Sequence, residues 1–198
     1  MDIQYQTKYL SRNPVAILLN RTLMKSIGIC VESTGPKTVL DVGCGEGVIV
    51  RTLSGRLAGL NIDGLDVHGQ SLAIARAFNP GLCFVQGSVY HLPVRDNAYD
   101  LVLCTEVLEH LERPEAALRE LVRVSRKHIL LTVPREPLWR MANMVRGKYW
   151  GSWGNTPSHI QHWTPGAFRS LVEGHVRVVA MKVPLMWTML LCEVEAGR

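Results

Sequence analysis

The chain has no two cysteines at C-x-x-C spacing, which removes zinc ribbons, dithiol redox chemistry and most cysteine-held metal centres. Its five cysteines, Cys30, Cys44, Cys83, Cys104 and Cys192, are odd in number and far apart, and they read as free thiols rather than a disulfide frame. Also missing, on inspection, is an unbroken apolar stretch of the ~18–20 residues that a membrane span requires. The opening Met1-Asp2-Ile3-Gln4 lacks the charged-then-apolar order of a secretory signal, so a cytoplasmic location is the expectation. Lysine and arginine form no dense block: the net charge of +5 is spread over both halves, and nucleic acid is not an expected partner. Internal repeats and low-complexity segments are absent.

What is there fits one α/β domain covering 1–198, since 198 residues can bury one substantial core. From residue 37 onward, short β-branched or apolar runs alternate with helical segments, the pattern of a parallel sheet with helices on both faces. Strands are predicted near 37–42, 60–66, 82–86, 99–104 and 127–133, and helices over 46–57, 69–78 and 114–126. A helix opening at Thr164-Pro165 and closing at Gly174 precedes two last strands, 175–183 and 185–194, which Pro184 links as an antiparallel pair. The first 36 residues carry a helix-compatible run from Pro14 to Cys30, read as a helical cover closed by Gly35-Pro36. Residues 134–163 break the rhythm with Trp, Arg, Gly and Pro, and are read as a lid or substrate-contacting insertion.

The run Thr38-Val39-Leu40-Asp41-Val42 leads straight into Gly43-Cys44-Gly45-Glu46-Gly47 and then a helical segment. A strand, glycine turn and helix in that order are expected to offer backbone N–H groups to an anionic ligand group. A dinucleotide loop would carry its third glycine where this chain has Val48, and Asp41 and Glu46 would repel a pyrophosphate. A ligand with one carboxylate and two cationic centres suits the flanking acids better. Asp66 ends the second strand, where a carboxylate can accept both hydrogen bonds of a ribose diol.

These residues, Val39 to Gly47, resemble the first motif of the class I S-adenosylmethionine-dependent methyltransferases. Gly87-Ser88-Val89-Tyr90-His91-Leu92-Pro93, Asn97-Ala98-Tyr99-Asp100-Leu101-Val102 and Glu106-Val107-Leu108-Glu109-His110-Leu111 are similar to the branch that includes the ubiquinone and menaquinone biosynthesis methyltransferases (methyltransferase type 11). The likeness runs in order over roughly 37–133. It implies a Rossmann-like, seven-stranded, mostly parallel sheet with an antiparallel last pair, and S-adenosyl-L-methionine as cofactor. It further implies that Gly43, Gly45 and Gly47 shape the cofactor loop, with Asp41 and Cys44 among its cofactor contacts, that Asp66 holds the ribose, and that Val67, Gly87, Ser88 and Val89 lie around the adenine. Thr105 and Glu106 then lie near the reacting sulfur, and Tyr9 either closes over the methionine end, as similar N-terminal segments do, or simply packs. Ser88 stands where the family usually has an acid, although a hydroxyl can still meet the adenine amino group.

Glu106 and His110, four apart, could share a helical face, or His110 could be satisfied by backbone. His159 and His162 follow the lid and are the candidate general bases, with helix capping or lid anchoring as the structural alternative. Two histidines without a third ligand make a poor metal site, so no metal is expected. Trp139, Arg140, Arg146, Lys148, Tyr149, Trp150 and Trp153 could cover a hydrophobic acceptor or make peripheral membrane contact through 139–153, or simply pack. The implied activity is methyl transfer to a small-molecule or lipid-like acceptor. The alternatives are a methyltransferase on protein or nucleic acid, which would carry an Asn/Asp-Pro-Pro-aromatic motif where this chain has Thr105-Glu106-Val107-Leu108, and a catalytically silent partner subunit.

Overall fold

The computed structural model describes residues 14–145 and 149–195. Its elements run α1 (Pro14–Thr34), β1 (Thr38–Val42), α2 (Val48–Arg56), β2 (Asn61–Asp66), α3 (Gly69–Phe78), β3 (Cys83–Gln86) and β4 (Tyr99–Thr105). After a 3₁₀ turn at Leu108–His110 come α4 (Pro114–Val124), β5 (Ser125–Pro134) and α5 (Leu138–Val145). A second 3₁₀ turn at Trp150–Ser152 leads to α6 (Pro165–Glu173), β6 (Arg177–Lys182) and β7 (Trp187–Glu193).

The strands form one seven-stranded sheet in the order β3-β2-β1-β4-β5-β7-β6. β1 to β5 are parallel, while β7 runs antiparallel to both β5 and β6. Rossmann-like architecture with an antiparallel last pair is therefore what the chain adopts. The last strand, however, slots between β5 and β6 rather than outside them. Its burial explains the placement: Trp187, Met189, Leu190 and Cys192 are nearly inaccessible, whereas β6 is mostly open, so the more apolar strand takes the interior position.

Strand alternation divides the core in two. Leu40, Val42, Val102, Ile129 and Leu131 face α4 and α6, meeting Ala117, Leu118, Leu121, Phe168 and Val172. Val39, Leu101, Leu103 and Leu130 face the other way, onto α1, α2 and α3, through Leu23, Ile27, Val50, Leu53, Leu72 and Ala75. In α4 the expected pattern is present, with Pro114 in the first turn and apolar residues at 117, 118, 121 and 124. The helix ends at Val124, two residues early, because β5 begins at once. Thr164 caps α6 by accepting the Ala167 N–H at 3.2 Å.

α1 corrects one sequence expectation. It extends to Thr34 and, by length and composition alone, is apolar enough to cross a membrane, although Asn20, Arg21, Thr22, Lys25 and Ser26 interrupt it. The helix instead buries Leu23, Ile27, Cys30 and Val31 against the sheet.

Candidate functional site

In the order β2-β1-β4 the strand order reverses at β1, with later strands added on its other side, and a crevice forms at such a point beyond the carboxyl ends of the parallel strands. The glycine loop after β1 sits there. Asp41 stands opposite Gly64 of β2 and Leu103 of β4, and Asp66 follows two residues beyond Gly64 on the same sheet face. Gly43, Gly45 and Gly47 all have positive φ (78°, 52° and 75°), a backbone shape that glycine adopts without steric cost. A Cβ on Gly43 would also fall 2.2 Å from Val107 Cγ2.

That left-handed turn directs the amides of Gly43, Cys44 and Gly45 back onto β2. The N–H groups of Gly43 and Cys44 both donate to the Leu65 carbonyl, at 2.7 and 3.0 Å, and Gly47 N donates to Cys44 O at 2.9 Å. Gly45 N donates to Asp66 Oδ2 at 2.8 Å, and His68 N donates to Asp66 Oδ1 at 2.8 Å. Asp66 therefore clamps the loop. Each of its oxygens keeps a second lone pair for a ribose hydroxyl. The amides suited to a ligand carboxylate are those opening α2, at Val48 to Val50, which have no intrahelical acceptor.

Asp41 is the oddity of the site. It is fully buried, and among the described residues neither carboxylate oxygen has a hydrogen-bond partner. Burial, and secondarily the charge of Asp66, push its carboxyl up to about 7. Burial also raises Glu46, while Cys44 and Cys104 are held as neutral thiols by burial and nearby acids. A cation is the natural complement to this pair of acids. Around Gly45, nothing lies within 4 Å of where a Cβ would stand, so the loop leaves room beside them. The residues thus fit S-adenosylmethionine.

The raised carboxyl has a pH consequence. The folded chain retains a proton that the unfolded chain loses above pH ~4, so stability falls as pH rises from there through about 7. Asp41→Asn is expected to flatten that fall and raise the melting temperature at pH 8, while weakening binding of a cationic ligand. Thermal denaturation of both proteins from pH 4 to pH 8 checks it, and parallel curves would exclude it.

The other predicted contacts among the described residues lie at or beyond the carboxyl ends of β2, β3 and β4. Val67 is exposed beyond β2, its carbonyl accepting from Gln86 Nε2 at 2.9 Å, and Gly87 N donates to Asp66 O at 3.0 Å. Ser88 accepts from Tyr90 N at 3.2 Å through its hydroxyl, and Val89 packs on the core. Thr105 is buried at the end of β4. Glu106 has φ 55° and accepts the indole N–H of Trp187 at 2.9 Å. Tyr9, Arg146 and Lys148 lie outside the described residues.

Nothing local in the sequence singles out Trp187, although a buried indole demands an acceptor. It begins an aromatic series: Trp139 lies 6.1 Å from it, ring to ring, His159 stacks on Trp139 at 5.9 Å, and His110 meets His159 edge-on at 4.9 Å. The Ile160 and Gln161 amides both donate to Glu109 O at 3.0 Å, which ties the post-lid segment to the turn after β4. Ligand atoms of Glu109, His110 and His159 come within 4.8 Å of one another. Spacing along the chain offers no third ligand for a metal; the fold supplies one acid and a second imidazole, a set that could hold an ion or work as an acid–imidazole cluster. His110 Nδ1 lies 2.7 Å from the Ser158 carbonyl, which can only accept, so this nitrogen carries the proton. The two candidate bases part company: His159 is buried, while His162 is a third exposed and faces Glu136 at 3.8 Å.

Residues 40–131 match the family model described as a methyltransferase domain. The chain is 36% identical over 115 residues to the ubiquinone biosynthesis O-methyltransferase of Sodalis glossinidius (strain morsitans), covering 54% of this chain and 45% of that protein. It is also 36% identical over 95 residues to ajmaline N-methyltransferase of Rauvolfia serpentina, covering 46% and 33%. The chain spans about half the length of the ubiquinone-pathway relatives it matches. Its fold is similar to that of magnesium protoporphyrin IX methyltransferase from Synechocystis PCC 6803, solved with bound SAH, at TM-score 0.74 and 18% identity, covering 96% and 93%.

Proposed function

We propose, from the premise that the chain belongs to the class I S-adenosylmethionine-dependent methyltransferases, that it methylates a small-molecule or lipid-like acceptor lying between the glycine loop and residues 134–163. The observation that carries this reading is the buried, unpartnered Asp41 carboxylate beside Asp66, a receptor for positive charge near the carboxyl end of β1. Bound S-adenosylmethionine supplies a methyl group activated by its sulfonium leaving group. The chain's own residues then have three tasks. Asp66 accepts the ribose hydroxyls while keeping the loop folded. Asp41 faces the cationic end. Trp139, Trp187 and His159 form an aromatic series next to Glu106, against which we place a flat acceptor, close to the His110–His159 pair.

A hydroxyl acceptor is the reading we favour, because buried His159 sits where an imidazole could take its proton. The named relatives include both an O- and an N-methyltransferase, so an amine is the competing acceptor. A protein or nucleic-acid acceptor has less support, since the named relatives are a ubiquinone biosynthesis and an ajmaline methyltransferase. The domain is proposed to act as one unit over 1–198, with 1–36 as its cover.

Calorimetry with S-adenosylmethionine and its demethylated product tests the cofactor. Turnover against a panel of catechols, phenols and amines tests the acceptor. Saturable binding with transfer to a phenol is the expected result; binding without transfer to anything in the panel would leave the silent-subunit alternative in its place.

A further inference from the structure

Three adjacent parallel strands each carry an acid within one residue of the carboxyl end: Asp41 on β1, Asp66 on β2 and Glu106 after β4. Glu106 is set apart by its backbone and by its partner. Its φ of 55° is left-handed, a conformation that a residue with a side chain adopts at a steric cost and that accumulates at functional sites. Its N–H donates to Thr132 O at 2.9 Å, which pins the turn to β5.

The carboxylate is gripped by a group from far along the chain. Trp187 opens β7, is 1% exposed, and directs its only polar side-chain atom at Glu106, Nε1 donating to Oε1 at 2.9 Å. Because β5 lies between β7 and β4, the indole reaches across a strand to make this bond. A hydrogen bond to a charged acceptor is stronger than a neutral one, and a glutamate side chain with several rotamers is thereby held in one. The next residue places the turn: Val107 lies so close to Gly43 that a Cβ there would fall 2.2 Å from Val107 Cγ2. Glu106 is thus joined through its neighbour to the glycine loop and through its side chain to Trp187, whose ring lies 6.1 Å from that of Trp139.

We propose that Trp187 is a positioning residue that aims the Glu106 carboxylate at the sulfur of the bound methyl donor, so that the site discriminates the charged donor from its neutral product. The proposal rests on the reading that S-adenosylmethionine binds at the glycine loop. Sulfur is positive in the donor; when the methyl group passes to the acceptor, the C–S bonding pair stays on sulfur and that charge disappears. The ammonium, the carboxylate and the ribose are the same in both molecules, so an acid beside them meets no difference. One held at the sulfur does.

Calorimetry on the full chain with S-adenosylmethionine and with its demethylated product reads the ratio of the two affinities. Glu106→Gln is expected to shift that ratio against the donor by about tenfold, because the amide keeps a carbonyl for the indole and loses the charge. Trp187→Phe keeps a ring without the N–H; it is expected to shift the ratio the same way by at least about threefold, and the double variant to match Glu106→Gln alone, since Trp187 acts through that carboxylate. Should Trp187→Phe not fold, a benzothiophene analogue of tryptophan at position 187, with sulfur in place of N–H at nearly constant shape, is expected to give the same shift. The proposal is overturned if losing the N–H weakens both ligands equally, as packing alone would, if the Trp187 and Glu106 effects simply add, or if Glu106→Gln leaves the ratio unchanged. A parent chain that binds neither molecule would instead remove the cofactor reading itself, and this proposal with it.

Discussion

Replacing Asp66 with alanine is expected to abolish measurable binding of S-adenosylmethionine, a loss of more than about 100-fold, and to lower the melting temperature of the cofactor-free protein. Both effects arise from the same two oxygens. The side chain holds the Gly45 and His68 amides at 2.8 Å each, and hydrogen bonds to a charged acceptor are worth about 1.5–3 kcal/mol apiece. Without them the left-handed turn loses its tie to β2, and two amides next to a buried residue lose their acceptors. The proposed ribose contact is lost as well. Asp66→Asn separates the two roles: the amide can still accept one N–H but carries no charge, so it should recover much of the melting temperature and little of the affinity. Calorimetry and thermal denaturation on the same preparations read both. An alanine variant that melts early yet binds normally would reduce Asp66 to a loop brace and remove it from the cofactor site.

How far the chain's plan is legible in its sequence depends on the range of the forces involved. The parallel strands are visible because each is a short apolar run bounded by turn residues, and burial of Val39, Leu40, Val42, Leu101 and Leu103 needs nothing beyond the strand's own two faces. The site of β7 is not visible, since antiparallel pairing on either side of β6 satisfies the same local pattern; the depth of Trp187 decides it, and depth is a property of the assembled sheet. Residues 134–163 show no period because α5 buries an amide and exposes valine and methionine, the reverse of the usual stripe. Glycine spacing marks the proposed cofactor loop, yet it cannot tell where the loop's amides point. Likewise, Glu109 and His110 lie about fifty residues from His159, and it takes tertiary hydrogen bonds to bring them together: the Ile160 and Gln161 amides on the Glu109 carbonyl, His110 Nδ1 on the Ser158 carbonyl and Gln161 Nε2 on the Leu111 carbonyl.

That cluster, assembled only by the tertiary fold, is where the largest catalytic effect is expected. For a phenolic acceptor, His159→Ala should cut kcat by about 10²–10⁴, the range lost with a positioned general base, while leaving cofactor affinity within about twofold. His162→Ala should cost far less. The two sites differ physically: His159 is buried, stacked on Trp139 and edge-on to His110, with a Glu109 oxygen within 4.8 Å to favour the charge an imidazole gains on taking a proton. His162 faces solvent on one side and Glu136 on the other, so water and that acid can substitute for much of what it does. Because an alanine also leaves a space beside Trp139, His159→Gln is the sharper probe; it fills much of the volume and can hydrogen-bond, but cannot act as the base. If glutamine restores the melting temperature and not the rate, the imidazole moves a proton. If it restores both, His159 is packing. An acceptor whose reacting atom is already a free amine would escape the loss altogether, so the same pair of variants, assayed on a phenol and on an amine, separates hydroxyl from nitrogen chemistry whatever the natural substrate is.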